Sequence, residues 1–226
     1  MPIDVLKVSA FRCFNQADFH FTPGINILSG VNGIGKTSVL EAVHFLSTGK
    51  SFRTHKIKNL IKSGESSFSL FSTVQQEEGS YQLGCQFSKS SQKILKLNNT
   101  VIKKQTDLAT TLPVLSIDPS SYLFCDNSPQ FRRSFLDWMV FHVKHDYIIT
   151  WSQVLRCQKH INLLLKSKKI NELPVWISQY VRLVNTLDNK RKSVFNEFKK
   201  AFNELLVLLA PDLSSSYIEY YSGWSP

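Results

Sequence analysis

The sequence has no C-x-x-C pair, and its four cysteines, Cys13, Cys85, Cys125 and Cys157, lie far apart. No His pair has the spacing that would complete a zinc site. Four reduced thiols fit better than a metal centre or a disulfide frame. No apolar run is long enough to span a bilayer, which argues against a membrane protein. The opening MPIDVLKVSAFRCF has no basic stretch leading into an apolar one, so it does not read as a secretory signal. A cytoplasmic protein is expected. Acidic residues are also scarce. The 226 residues carry 27 Lys and Arg against 17 Asp and Glu, a formal net charge of +10.

That excess is uneven. Lys50, Arg53, Lys56, Lys58 and Lys62 stand together with no acid among them. Between Lys144 and Lys200 there are 12 Lys or Arg and only 4 Asp or Glu. Clustered basic charge fits a polyanionic partner, above all nucleic acid. For the second stretch a solvated, lysine-rich helix surface explains the charge equally well.

Residues 3–9 and 17–21 have strand composition. A turn at Thr22-Pro23-Gly24 leads into INILSG at 25–30, a short apolar run expected to be a buried strand. Residues 36–47 place Val39, Leu40, Val43 and Leu46 at helical spacing, and Gly49 closes the helix. Two alternating runs around Glu77-Glu78-Gly79 predict a hairpin over 68–88. A second hairpin turns at Asn98-Asn99. LPVLSID at 112–118 reads as another buried strand, stopped by Pro119.

From Ser128 to Leu209 the pattern is almost all helix. Trp151, Val154, Leu155, Ile161 and Leu165 define one helical face. Trp176, Tyr180, Leu183, Leu187, Val194, Phe198, Phe202, Leu205 and Leu209 define another, on a helix with Pro174 in its first turn and Ala210-Pro211 at its end. Two helices joined by a basic loop suggest an antiparallel arm. The expected domains are 1–127, 128–213 and 214–226, the last being the start of a strand region cut short.

Residues 30–37, GVNGIGKT, satisfy G-x-x-x-x-G-K-[ST] between an expected strand and helix. Gly30, Gly33 and Gly35 allow backbone angles closed to other residues. The N–H groups of Val31, Asn32, Gly33, Ile34 and Gly35 can then point at phosphate oxygens, aided by the helix N-terminus that Ser38 enters. Lys36 would reach the β- and γ-phosphates, and Thr37 would place its hydroxyl on Mg²⁺. ATP and Mg²⁺ are the expected cofactors. Hydrolysis needs a further carboxylate. Asp118, after Val114-Leu115-Ser116-Ile117, is the single candidate, and proline follows it.

The stretch VSAFRCFNQADFHFTPGINILSGVNGIGKTSVLEAVHFLSTGKSFR resembles the amino-terminal lobe of the RecF family, with its SMC-type and ABC-type ATP-binding heads. RRSFLDW at 132–138, FH at 141–142 and GW at 223–224 strengthen the likeness. The resemblance implies an α/β fold. A P-loop ABC/SMC-type head lobe, with mixed sheet and β-hairpins, would precede a helical arm. It implies that Arg12 lies near the nucleotide phosphates, and that Arg132 and Arg133 tie the arm in place through Asp137 or a carbonyl. The family usually has glycine before the Ser-Pro that precedes its paired arginines. Here the stretch is Cys125-Asp126-Asn127-Ser128-Pro129, which sets its turn apart.

Two family features have no match in this stretch: an L-S-x-G-Q signature loop, and an apolar strand ending in two acids. A missing carboxy-terminal lobe is therefore expected. For the complete protein the resemblance implies a weak, DNA-dependent ATPase that dimerises through ATP and binds single-stranded or gapped DNA. It would act with RecO and RecR, supporting RecA loading and SOS induction. Lys50, Arg53, Lys56, Lys58 and Lys62 are the candidate DNA contacts. Two alternatives stand beside this reading: a self-contained P-loop kinase or phosphotransferase using Asp118 for magnesium, and a scaffold whose loop binds nothing.

Overall fold

In the computed structural model, residues 3–118, 121, 129–168 and 170–223 are described. The chain divides into two compact units, Met1–Asp118 and Pro119–Pro226. The expected boundary at 127, the turn at 125–128 and Trp224 fall outside the described residues.

The first unit is built on a six-stranded antiparallel sheet, in the order β2-β1-β3-β4-β5-β6. The strands are β1 (Ile3–Phe11), β2 (Phe14–His20), β3 (Ser67–Gln76), β4 (Gly79–Ser88), β5 (Lys93–Leu97) and β6 (Thr100–Ile102). Both expected hairpins are present. Gln76 pairs with Gly79 across Glu77-Glu78, and Leu97 pairs with Thr100 across Asn98-Asn99, both of which take positive φ. Alternation sets the faces. Phe68, Leu70, Ser72 and Val74 of β3 turn inward, and their neighbours do not.

That inner face packs on α1 (Lys36–Thr48), joined at one end by α2 (Gln105–Thr111). Val39, Ala42, Phe45 and Leu46 of α1 meet Leu6, Val8, Phe11 and Phe68 in one core. Phe68 stands edge-on to both Phe11 and Phe45, at 5.1 and 5.3 Å. Gly49 ends α1 in the left-handed region, φ 67°, and its N–H donates to the Phe45 carbonyl.

Two expected strands are not strands. Residues 25–30 and 112–118 carry no ladder hydrogen bonds. Ile25 and Ile27 are 91% and 85% exposed, and Ile117 is 85% exposed. Their apolar composition is right for a buried strand, but a strand needs a neighbour to receive its N–H and C=O groups. Among the described residues neither segment has one. They border a groove of about 840 Å³ over Leu40, Val43 and His44.

The second unit is helical: α3 (Pro129–Val143), α4 (Tyr147–Lys166) and α5 (Leu173–Leu209). The 37 residues of α5 span about 55 Å. His160 meets Trp176 and Thr150 meets Lys190, so α4 and α5 run antiparallel, as the sequence suggested. Pro174 lies in the first turn and Ala210 caps the end. Leu136, Val140, Tyr147, Val154, Leu187 and Val194 form the core. The predicted inner face of α5 is buried or half-buried as far as Phe202. Beyond it Leu205 and Leu209 are exposed, because α3 and α4 do not extend to cover them among the described residues.

Asp137 was expected as one possible partner of Arg132 and Arg133, but its carboxylate is taken by other residues. It accepts from Arg191 of α5 at 2.7 Å and from the Tyr147 hydroxyl at 2.5 Å. Leu136 of that motif is buried, and Phe135 stacks on Trp138 at 6.3 Å. Residues after α5 fold back on it. Buried Asp188 accepts from Tyr220, Ser222 and Lys192 at 2.6, 2.9 and 2.8 Å.

Candidate phosphate-binding site

The loop 30–37 joins the unpaired segment 25–30 to α1. Gly30, Gly33 and Gly35 all take positive φ, at 144°, 85° and 111°. Gly35 is doubly constrained. A Cβ there would lie 2.5 Å from the Phe14 ring and 2.8 Å from Cys13 Sγ. The turn between β1 and β2 thus backs directly onto the loop.

Among the described residues no side chain caps α1, and its first turn holds no acid. Its leading N–H groups and the positive end of its dipole are left for an anion. Lys36 curls over the loop and donates from Nζ to the carbonyls of Gly30 and Val31, at 2.7 and 3.0 Å. This holds the ammonium at the loop mouth. Thr37 is exposed there, and Ser38 is buried just behind.

A cleft of about 690 Å³ opens at this point. Asn32, Gly33, Gly35, Lys36, Thr37 and Ser38 line one side. Arg12, Cys13, Arg53, Asn59, Ile61 and Ser63 line the other. The size suits a nucleotide-scale ligand. The loop glycines and helix N-terminus suit phosphate, and the Thr37 hydroxyl suits one coordination position of Mg²⁺.

Arg12 is in the cleft wall, but it is not a free charge. It sits in a tight turn with φ 54°. Its Nε and Nη2 donate to the two carboxylate oxygens of Glu41 at 2.8 and 2.7 Å, and its Nη1 donates to the Asn59 carbonyl at 3.1 Å. Glu41, fully buried on α1, also accepts from the Ser51 hydroxyl. Sequence reading missed Glu41. The signal was present: an acid beside Ala42, on the helix side that buries Val39, Phe45 and Leu46, demands an internal cation.

The five basic residues do not share one setting. Lys50, Arg53, Lys56 and Lys58 are exposed. Lys62 is half-buried and donates to the Cys13 carbonyl at 3.1 Å. Leu60 and Ile61 anchor the segment in the core, and Ile61 bridges to Phe11. Arg53 therefore stands at the cleft itself, a place the sequence did not reveal.

Asp118 is not among the cleft-lining residues. It is half-buried near His44, beside the apolar groove. Burial pushes the His44 imidazole below its usual value, outweighing the upward pull of Asp118 and Glu41. A self-contained kinase site using Asp118 is not favoured. Among the described residues no cluster of three potential metal ligands occurs, and no helix is long and apolar enough to cross a membrane.

A glycine-strained loop, an uncapped helix and a lysine folded over the mouth define a P-loop nucleotide-binding head lobe, followed by a helical unit. The chain belongs to the RecF/RecN/SMC N terminal domain family, whose model matches residues 2–209. It is similar to the DNA replication and repair protein RecF of Psychromonas ingrahamii, with 36% identity over 225 residues. That alignment covers 99% of this chain and 62% of the relative, so the chain spans about three fifths of its relative's length. The solved structure of the recombination mediator protein RecF-ATP in the RecFOR pathway superposes with a TM-score of 0.82. It is 21% identical, over 92% of this chain and 58% of that one. A structure from work on ATP-driven dimerisation of SMC ATPases gives a TM-score of 0.51 and 18% identity, covering 60% of this chain and 98% of that one. These likenesses show the head fold that the sequence led us to expect.

Proposed function

We propose that this chain supplies the ATP-binding lobe and arm of a RecF-type protein of DNA replication and recombinational repair. The observation that carries this is the cleft: the phosphate loop of a RecF-family chain forms one wall, and a basic segment forms the other. ATP lies with its phosphates on residues 30–37, Lys36 at the β- and γ-phosphates and Thr37 on Mg²⁺. In the complete protein ATP joins two heads, and hydrolysis parts them.

DNA, single-stranded or gapped, binds across Lys50, Arg53, Lys56, Lys58 and Lys62. Phosphate contacts of this kind give affinity without sequence readout, and steep salt dependence. RecO and RecR are the partners in the cytoplasm, and RecA loading and SOS induction are the outcome. The residues present carry neither a signature loop nor a second acid. The chain is therefore expected to bind ATP without turning it over.

Titration with a fluorescent ATP analogue tests the reading. The chain binds, and Lys36→Ala does not. Equal binding by both would overturn it. Steady phosphate release that Lys36→Ala abolishes would overturn the statement on turnover.

A further inference from the structure

The basic segment is fastened to the phosphate-loop helix at two places, and both fastenings converge on one carboxylate. Glu41 is fully buried one turn into α1, on the helix that Lys36 and Thr37 begin. Arg12 carries its charge to the far end of the segment. The guanidinium reaches the Asn59 carbonyl, and the Arg12 backbone N–H donates to the Leu60 carbonyl at 2.7 Å. Ser51 makes the second link, to the near end. Its hydroxyl donates to Glu41 and accepts the backbone N–H groups of Arg53 and Thr54, each at 3.0 Å. Among the described residues, every donor on this carboxylate thus leads to the opposite wall of the cleft.

We propose that Glu41 is the positioning residue of this site, clamping Arg12 and the Ser51–Thr54 turn so that both walls of the cleft close on a nucleotide as one body. The inference rests on the proposed ATP site and deepens it. Arg12 contributes shape more than charge, since Glu41 neutralises it. The free cation of that wall is Arg53, which makes no ion pair among the described residues. Its backbone is set by Ser51, and Ser51 is set by Glu41. A nucleotide that engages the loop therefore orders the Arg53 turn through the carboxylate, without touching that turn first.

The experiment uses the 226-residue chain, with and without ATP and Mg²⁺, and reads amide hydrogen exchange and ATP-analogue affinity together. In the wild type, ATP slows exchange at the amides of Arg12, Arg53 and Thr54. Ser51→Ala keeps the response at Arg12 and loses it at Arg53 and Thr54. Glu41→Gln loses both, and its affinity falls about tenfold, the scale of one charge-assisted hydrogen-bond network undone.

A purely structural role would lower the melting temperature of these variants but leave the ATP-induced differences intact, and that result overturns the proposal. Should Glu41→Gln fail to fold, Ser51→Ala decides alone. Wild-type chain that shows no Lys36-dependent ATP binding overturns the ATP site and this inference together. Binding that depends on Lys36 but is blind to Glu41 and Ser51 overturns only the clamp.

Discussion

Each unit pairs an acid with an arginine, and the two pairs have different consequences. Glu41 and Arg12 meet beside an open cleft, next to a loop forced into positive φ. Asp137 and Arg191 meet between helices, with Tyr147 on the same carboxylate and Trp151 under the guanidinium at 5.5 Å. The second pair is closed on itself by aromatic packing. The first hands its hydrogen bonds on to a backbone segment that faces solvent. Similar chemistry thus serves a potential binding site in one unit and helix packing in the other.

The comparison breaks most visibly at the loop. Lys36→Ala should weaken ATP-analogue binding by about a hundredfold or more while leaving the melting curve nearly unchanged, since among the described residues Lys36 bonds only to its own loop. Loss of fold instead would mean that the loop is part of the core.

Asp137→Asn should do the reverse. Leaving Arg191 half-buried without its charge partner should cost the helical unit about 2 kcal/mol, read by chemical denaturation, with ATP affinity unchanged.

Thiol chemistry sharpens the contrast inside the first unit. Cys13 is exposed in the cleft wall, whereas Cys85 is buried, with its thiol pushed up to about 11 by desolvation. Alkylation at pH 8, followed by peptide mass spectrometry, should label Cys13 first, and ATP should slow that labelling. Equal rates at both sites would contradict the burial described.

The smallest effect is expected from His44. Its imidazole is held below the usual value by burial, and its Nδ1 has no hydrogen-bond partner among the described residues. A lowered histidine favours the folded state only while neutral. That stability is present above the ordinary value of about 6.5 and fades as pH falls toward the lowered one. Thermal melts of His44→Gln should therefore lose less stability than wild type between neutral pH and pH 5.

The hairpins, α1, its glycine stop and the long helices were legible because short-range rules decide them. Asn98-Asn99 tolerates left-handed angles, and apolar residues at a period near 3.6 define a helix face wherever it packs. The loop was legible for the same reason, since the motif GVNGIGKT lies within eight consecutive positions and its glycines take positive φ. Strand status at 25–30 and 112–118 was not. Apolar composition says what a segment would bury, but pairing needs a neighbour that no local pattern contains. Asp137 likewise offered several arginines as partners, and only packing chose Arg191.

The sequence alone therefore determined the phosphate loop, its lysine and hydroxyl, the basic segment and the family. Tertiary structure decided that Arg12 is bound to Glu41, that Arg53 stands at the cleft and that Asp118 does not line it. Ion pairs across 29 residues, and one cleft shared by segments far apart in sequence, arise from folding geometry. A carboxylate on a buried helix face announces that it needs a cation, but only the folded chain says which one.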